Sequence, residues 1–445
     1  AGPALAGRLN KEGLKTAIIE RKLVGGTCVN VGCIPTKTLV GSARVAYLAR
    51  QAETFGVSVV GEVAVDMVRV KARKDSIAGA SNQGVTDWIA GMENVDLIFG
   101  HARFIGANAV EVNGKVYEAP KIFINVGARA RVPDWKGIDA VPYFTNSSMM
   151  DVDFLPDHLV IIGGSYIGLE FAQMYRRFGS EVTVIERGDR IIGRDDEDVS
   201  TAVKEILEGE GVKFRLHADC IEARVTDSGI AVRVSCDEGP DEVTASHLLV
   251  AVGRVPNTDD LGLAAAGMEA NSFGYLTVDE QLRTNVPGVW AIGDVNGRGA
   301  FTHTSYNDYE IVAANLFDDD PRKVTDRILC YGLFTDPPLG RIGMTEKEVR
   351  ESGRRALMGK RMMTRVGRAR EFGETRGFIK IIVDADTEEI LGAAILGLTG
   401  DEVIHCLLDT MYARQPYTVI SRAVHIHPTV AELIPTVLQD LQPLE

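Results

Sequence analysis

The chain has 445 residues, 45% of them hydrophobic and 25% charged, with a formal net charge of −14. That length is too great for one core and implies three or four units, while the negative charge argues against nucleic-acid or anionic-membrane partners. The longest apolar run, Ile390–Leu398, is too short to span a bilayer, and the cysteine usage suits a reducing cytoplasm.

In chain order, Gly2 precedes a helix-like run, Pro3–Lys11, which ends at Gly13. A strand, Thr16–Ile19, follows and closes on Glu20. The same pattern returns as Gly168, the helix-like Leu169–Phe178, Gly179, the strand Val182–Ile185 and Glu186, at one constant offset. Each copy reads as the back half of a dinucleotide-binding βαβ unit. Glycines admit a pyrophosphate to a helix N-terminus, and the acid accepts hydrogen bonds from a ribose hydroxyl. In the second copy a strand, His158–Ile162, leads into Gly163-Gly164-Ser165-Tyr166-Ile167-Gly168. The first copy has no counterpart of that strand, so the natural protein is expected to begin roughly 10–20 residues earlier.

Residues 25–37 read Gly-Gly-Thr-Cys-Val-Asn-Val-Gly-Cys-Ile-Pro-Thr-Lys. Cys28 and Cys33 follow a strand and open a helix-like run, Lys37–Gln51, so the positive end of a helix dipole would stabilise a thiolate there. A structural disulfide or half a zinc site are the plainer alternatives. Zinc needs four ligands, and no second Cys or His pair has suitable spacing. Cys220, Cys236, Cys330 and Cys406 are isolated and read as buried or incidental thiols. Further on, Lys121–Gly127 reads as a strand ending in a glycine turn, and Gly288–Asp294 as a buried strand with an acid at its tip. Ala300-Phe301-Thr302-His303 opens a helix. Gly373–Val383 and Glu389–Gly397 read as antiparallel strands, and Asp401–Ala413 as a helix. His425-Ile426-His427-Pro428-Thr429-Val430-Ala431-Glu432 stands near the C-terminus.

The dithiol segment resembles the active-site signature of the FAD-dependent pyridine nucleotide–disulfide oxidoreductases, among them dihydrolipoyl dehydrogenase, glutathione reductase and mercuric reductase. The resemblance runs to about Thr436, with several motifs in the family order. It implies an α/β fold with two Rossmann-like domains, for FAD and for NAD, and a C-terminal α+β dimerisation domain. The divisions expected are 1–144 for FAD, 145–256 for NAD(P), 257–327 for a central domain completing the FAD site, and 328–445 for the interface. The resemblance assigns Cys28 and Cys33 as the redox disulfide, with Cys33 resting as a thiolate against the flavin and Cys28 exchanging with substrate. His427 becomes the proton carrier and Glu432 the group that orients it, both reaching the cysteines of the other subunit of a homodimer; His425 is structural. Lys37, paired with Glu170, would lie beside the flavin N5, and Tyr166 would cover the flavin until nicotinamide arrives. Asp294 would bind the ribitol, and the amides of Ala300, Phe301, Thr302 and His303 would face the pyrimidine ring. Gly2, Glu20, Gly26, Thr27 and Gly127 complete the flavin set, and Gly163, Gly168, Glu186 and Gly253 the nicotinamide set. No metal ligands are expected.

Glu186 favours NAD, because a carboxylate accepts from a 2′-hydroxyl and repels a 2′-phosphate; Arg187 and Arg190 nearby leave NADP open. Departures from the family pattern are Asn125 and Val126, where an Ala-Thr-Gly turn is usual, and Ser165 in place of a middle glycine. Mercuric reductase typically carries a vicinal cysteine pair near its C-terminus and a tyrosine for the histidine. This chain ends Leu-Gln-Asp-Leu-Gln-Pro-Leu-Glu and keeps His427. Glutathione reductase usually has Lys where Thr36 stands. Dihydrolipoyl dehydrogenase fits His427 and Glu186 but not the residues around Phe301. The expected function is a bacterial reductase carrying electrons from NADH through flavin and the dithiol to a small disulfide or soft-metal substrate. Dihydrolipoyl dehydrogenase, mercuric reductase and a catalytically inactive nucleotide-binding dimer are the alternatives.

Overall fold

The computed structural model describes residues 1–218, 221–227, 229–234 and 241–444; Cys220 and Cys236 lie outside the described residues. Helix α1 (Gly2–Lys11) buries Leu5, Ala6 and Leu9 on one face and leads to β1 (Thr16–Glu20). A short helix, α2 (Gly26–Asn30), and the long α3 (Cys33–Arg50) follow, then α4 (Met67–Ala90), whose Asp66 N-cap accepts the Arg69 amide. Strand β2 (Val95–Phe99) pairs parallel to β1. A polar meander comes next, β3 (Arg103–Gly106), β4 (Ala109–Val112) and β5 (Lys115–Glu118). The run expected as a strand to Gly127 is shorter, β6 (Ile122–Ile124), and β7 (Ala128–Ala130) starts after the left-handed turn at Gly127.

The second nucleotide unit is one parallel sheet built from β8 (His158–Ile162), β9 (Glu181–Ile185), β10 (Lys213–Arg215) and, after the antiparallel ribbons β11 (Ile221–Thr226), β12 (Gly229–Val234) and β13 (Glu242–Ala245), β14 (His247–Val250). Its order, β10-β9-β8-β14, is the doubly wound arrangement that places a ligand at the carboxyl ends of the strands. Helix α5 (Tyr166–Phe178) joins β8 to β9 and is buried on nearly every side; α6 (Glu197–Gly209) presents one apolar face. Strand β15 (Arg254–Pro256) pairs with β7, and β16 (Val289–Ala291) lies parallel to β6, returning the chain to the first unit. Helix α7 (Thr302–Phe317) packs against α1.

The last unit is an antiparallel sheet containing β17 (Cys330–Leu333), β18 (Leu339–Gly343), β19 (Ala356–Met362), β20 (Phe378–Asp384) and β21 (Ile390–Leu396), with Gln442–Pro443 at its edge. Strands β20 and β21 are buried throughout, which is why they read as continuous apolar runs. The segment from Gly373 is a turn, and the strand begins only at Phe378. The helix expected over Asp401–Ala413 divides into Gly400–Val403 and His405–Tyr412 at Ile404. One apolar core links all three parts: Leu39 and Ala43 of α3 pack with Leu169 and Phe171 of α5 and with Leu333, Leu339 and Phe378 of the last sheet. That core fixes α3 relative to α5 and the last sheet.

Candidate active site

The two cysteines sit on different helices. Cys28 lies within α2, and Cys33 is the first residue of α3, so the expected start of that helix at Lys37 moves one turn earlier. Gly32 permits the tight link between them, since a Cβ there would press on the Thr27 carbonyl oxygen at 2.8 Å. Both sulfurs are free thiols in this structure. Cys33 Sγ lies 3.3 Å from the Oγ1 of Thr302, the first residue of α7. Two helix N-termini therefore converge on one sulfur, and both favour negative charge there. A hydrogen bond from Cys28, another from Thr302 and the charge of Lys37 bring the Cys33 thiol down to about 6, against the opposing effect of burial. Cys28 is pushed up, first by its bond to Cys33 and then by burial. The pair thus holds one proton on Cys28 and a thiolate on Cys33.

Lys37, one turn along α3 from Cys33, donates to Glu170 Oε2 at 2.7 Å and stands 4.4 Å from the Phe334 ring centroid. The Glu170 side chain is 6% exposed, and its Oε1 accepts the Phe334 amide at 3.1 Å. This is a fixed ion pair, not a mobile surface contact.

In the glycine loop, Gly163 has φ 114° and would overlap the Ala251 carbonyl with any Cβ; Gly168 would overlap the Gly163 carbonyl. Ser165 is extended, so a side chain is tolerated where glycine was expected. Glu186 accepts from Gly164 N–H at 2.7 Å and from Gly188 N–H at 2.8 Å, which braces the loop. In the first unit, Glu20 accepts from Lys22 N–H at 2.7 Å. Asn125 accepts from Gly2 N–H at 2.9 Å and donates to the Ile292 carbonyl at 2.8 Å, tying the start of α1 to the end of β16.

Asp294 is raised by burial and lies 3.4 Å from Arg254 Nε. Arg254 also donates to the Ala128 carbonyl and reaches Thr27 Oγ1 at 3.4 Å. The sequence reading selected Gly253 and passed over this arginine. Phe301, His303 and Tyr331 stack in series, at centroid distances of 5.3 and 5.7 Å from Phe301, with Tyr166 5.3 Å from Tyr331. His303, lowered by burial, bonds through Nε2 to the Cys330 carbonyl at 2.7 Å. Tyr331 was missed because a lone tyrosine in a strand carries no motif.

His427 Nδ1 pairs with Glu432 Oε2 at 2.8 Å, and the Glu432 amide donates to Thr429 Oγ1. The His427 side chain is 80% exposed, beside the fully exposed Val424 and Ile426. Its partner within the chain is Glu432, not either thiol. Asp196, Asp198 and Glu346 converge, but the buried Lys380 ammonium lies among them at 2.6–2.9 Å, and Lys360 on Asp198 and Arg350 on Glu346 complete the charge balance. No helix among the described residues is long and apolar enough to cross a membrane.

The family model for pyridine nucleotide-disulphide oxidoreductases matches residues 1–308, and that for the dimerisation domain of the same proteins matches residues 330–438. The probable pyridine nucleotide-disulfide oxidoreductase RclA of Escherichia coli (strain K12) is 36% identical over 440 residues, covering 97% of this chain and 95% of that protein. A dihydrolipoyl dehydrogenase of Cupriavidus necator is 32% identical over 417 residues, 92% of this chain and 87% of that one. A mercuric reductase of Streptomyces lividans is 31% identical over 436 residues, 97% and 91% respectively. The solved Cu(II) complex of the HOCl-induced flavoprotein disulfide reductase RclA matches with a TM-score of 0.89 at 34% identity, covering 99% of this chain and 97% of that one.

Proposed function

The chain belongs to the pyridine nucleotide-disulphide oxidoreductase family, FAD-using oxidoreductases that act on NAD(P)H and disulfides, and we propose that it draws electrons from NADH and delivers them through Cys28 and Cys33 to a small disulfide. The single observation that carries this reading is the dithiol, whose inner sulfur meets the starts of both α3 and α7 beside Lys37.

The residues fit both nucleotides. Arg254 keeps a buried Nε with no hydrogen-bond partner next to Asp294, and the overlap that a Cβ would cause at Gly163 and Gly168 keeps the second loop flush with its helix. Gly2, Glu20, Gly26, Thr27, Lys37, Gly127, Asp294 and residues 300–303 would hold FAD; Gly163, Tyr166, Gly168, Glu186 and Gly253 would hold NADH. When bound, the flavin supplies hydride-accepting, two-electron chemistry that no side chain here possesses.

The chain's own part is thiol exchange and proton handling. Cys28 gives up its proton and its thiolate attacks one substrate sulfur, breaking the S–S bond and releasing one thiol. Cys33 then attacks Cys28 in the mixed disulfide, closes the Cys28–Cys33 disulfide and releases the second product as a thiolate, which takes its proton from solvent. The dithiol loses two electrons and the substrate gains them; NADH restores the dithiol. His427, oriented by Glu432, receives the Cys28 proton and returns it to the leaving thiolate. Within its own chain it bonds Glu432 and neither thiol, and the dimerisation domain supports a homodimer, so we assign it to the partner's cysteines. Glu186 selects NADH through its carboxylate. A reducing cytoplasm suits this cycle, since Cys330 and Cys406 are free thiols.

Soft-metal reduction is the second reading, favoured because the 34%-identical neighbour was solved as a Cu(II) complex. NADH-driven turnover of lipoamide, glutathione disulfide, Cu(II) and Hg(II) by the holoenzyme separates the two. Cys33→Ser is expected to abolish the long-wavelength thiolate–flavin absorbance of the two-electron-reduced protein, and Cys28→Ser to keep it while stopping exchange. Wild-type disulfide turnover by both variants refutes the relay.

A further inference from the structure

Asp195 belongs to neither the glycine loop, the dithiol nor the histidine pair, yet it holds the tyrosine assigned to the nicotinamide side. Its carboxylate is enclosed, with a side-chain exposure of 0%. Oδ2 accepts from the Tyr166 hydroxyl at 2.9 Å, and Oδ1 from the Tyr331 hydroxyl at 2.8 Å. The turn that carries it is tied to the glycine loop, because Ile192 N–H donates to the Gly164 carbonyl at 2.9 Å.

Behind the carboxylate lies Arg341, 1% exposed. Its Nη1 serves the Ile342 and Ala393 carbonyls. Its Nε and Nη2 are buried without a hydrogen-bond partner, and Nε stands 3.9 Å from Asp195 Oδ1. Unpaired donors on a buried guanidinium are costly. A carboxylate can accept equally from two hydroxyls or from a guanidinium fork. With Tyr166 in place, Asp195 is satisfied and Arg341 is short of acceptors. Once Tyr166 departs, Asp195 loses one donor, and the idle Nε of Arg341 stands 3.9 Å from its Oδ1. One arrangement satisfies Asp195 and leaves donors of Arg341 idle, and the other pairs the two buried charges at the loss of the Tyr166 bond, so each position has its own partner set, as a two-position element requires.

We propose that Asp195 is the latch of a Tyr166 gate: bonded to Tyr166 and Tyr331 it keeps the ring closed over the nicotinamide face, and paired with Arg341 it lets the ring swing out. The inference rests on the placement of Tyr166 given under the proposed function. Asp195 is a positioning residue that acts through Tyr166. Tyr331 sets the balance by keeping Oδ1 from Arg341, and its stack on Phe301 joins the latch to the start of α7, where Thr302 meets Cys33. Nicotinamide needs the open ring, so its apparent affinity is the intrinsic affinity scaled by the open fraction.

Calorimetric titration of the oxidised holoenzyme with NAD+, together with KM and kcat for NADH, tests the latch in Tyr331→Phe and Asp195→Asn. Both substitutions loosen the hold on Tyr166. Kd for NAD+ and KM for NADH are expected to fall together by about 3- to 30-fold, with KM changing more than kcat and the double variant gaining no more than the larger single. Tighter binding is not a consequence of structural damage. Asp195→Asn also disturbs Arg341, so Tyr331→Phe, which removes one hydroxyl and keeps the ring stack, decides the matter if Asp195→Asn fails to fold. Unchanged or weaker NAD+ binding by Tyr331→Phe protein of normal flavin content overturns the latch. A wild-type holoenzyme that neither binds NAD+ nor is reduced by NADH overturns the site reading, and the latch with it.

Discussion

The two nucleotide units start from one pattern of residues and finish it differently. Both run from a glycine through a helix to a second glycine, a strand and a glutamate. In the second unit the pattern closes on itself: Gly168 lies against the Gly163 carbonyl, and Glu186 returns to the Gly164 and Gly188 amides. In the first, the closing contact comes from far along the chain, where Asn125 takes the Gly2 amide and anchors to the end of β16. A shared motif therefore fixes helix and strand in both units, while Glu186 braces the second from within and Asn125 reaches the first from outside it.

The sharpest way to break this comparison is Gly168→Ala. The new Cβ meets a backbone oxygen that has no room to retreat without opening the loop. The substitution should cost about 1–3 kcal/mol of stability and lower NAD+ affinity at least about tenfold. Thermal unfolding and calorimetry check both. A variant of wild-type stability and affinity removes the close-packing argument.

Lys37→Met acts where the two units meet. It removes the pair that joins α3 to α5 and leaves Glu170 buried with only the Phe334 amide, a loss of about 1–3 kcal/mol. It also withdraws a positive charge that lowers the Cys33 thiol, so the midpoint of thiolate formation should rise from about 6. Less thiolate is then present at neutral pH. Alkylation rate against pH in the dithiol state reads this directly; a midpoint that stays put assigns the thiolate to Cys28, Thr302 and the helix ends. Glu186→Arg has a smaller effect, on selectivity. It should shift the NADPH-to-NADH ratio of kcat/KM upward on the order of tenfold. A shift the other way refutes the carboxylate as the selector.

Much of this was legible in sequence because the controlling contacts are local. The Cys28–Cys33 spacing and the His427–Glu432 pair each lie within one or two turns of chain, and each glycine-to-glutamate pattern within one helix and one strand, so residue type and spacing suffice. The halves of the tyrosine latch do not. Tyr331 and Asp195 meet only because β17 of the last sheet passes the turn after β9, and each residue by itself reads as ordinary core. Asn125 was visible only as a departure; its job appears when β16 is laid beside β6. The break at Ile404 was hidden because apolar spacing persists across it.

Gly2→Ala is the smallest expected change and the most discriminating. A Cβ at Gly2 would lie 3.1 Å from Asn125 Oδ1, the end of a flexible side chain, not a carbonyl of the backbone. The Gly2 amide keeps its bond, and alanine suits a helix better than glycine. Stability of the flavin-free chain should therefore stay within about 1 kcal/mol of wild type. If Gly2 is small to let a pyrophosphate approach, the loss appears in flavin affinity instead, by several-fold, measured by flavin release on dilution. Gly2 would then be small for its ligand. Destabilisation of the flavin-free chain by Gly2→Ala as large as that by Gly168→Ala would show instead that Gly2 serves packing.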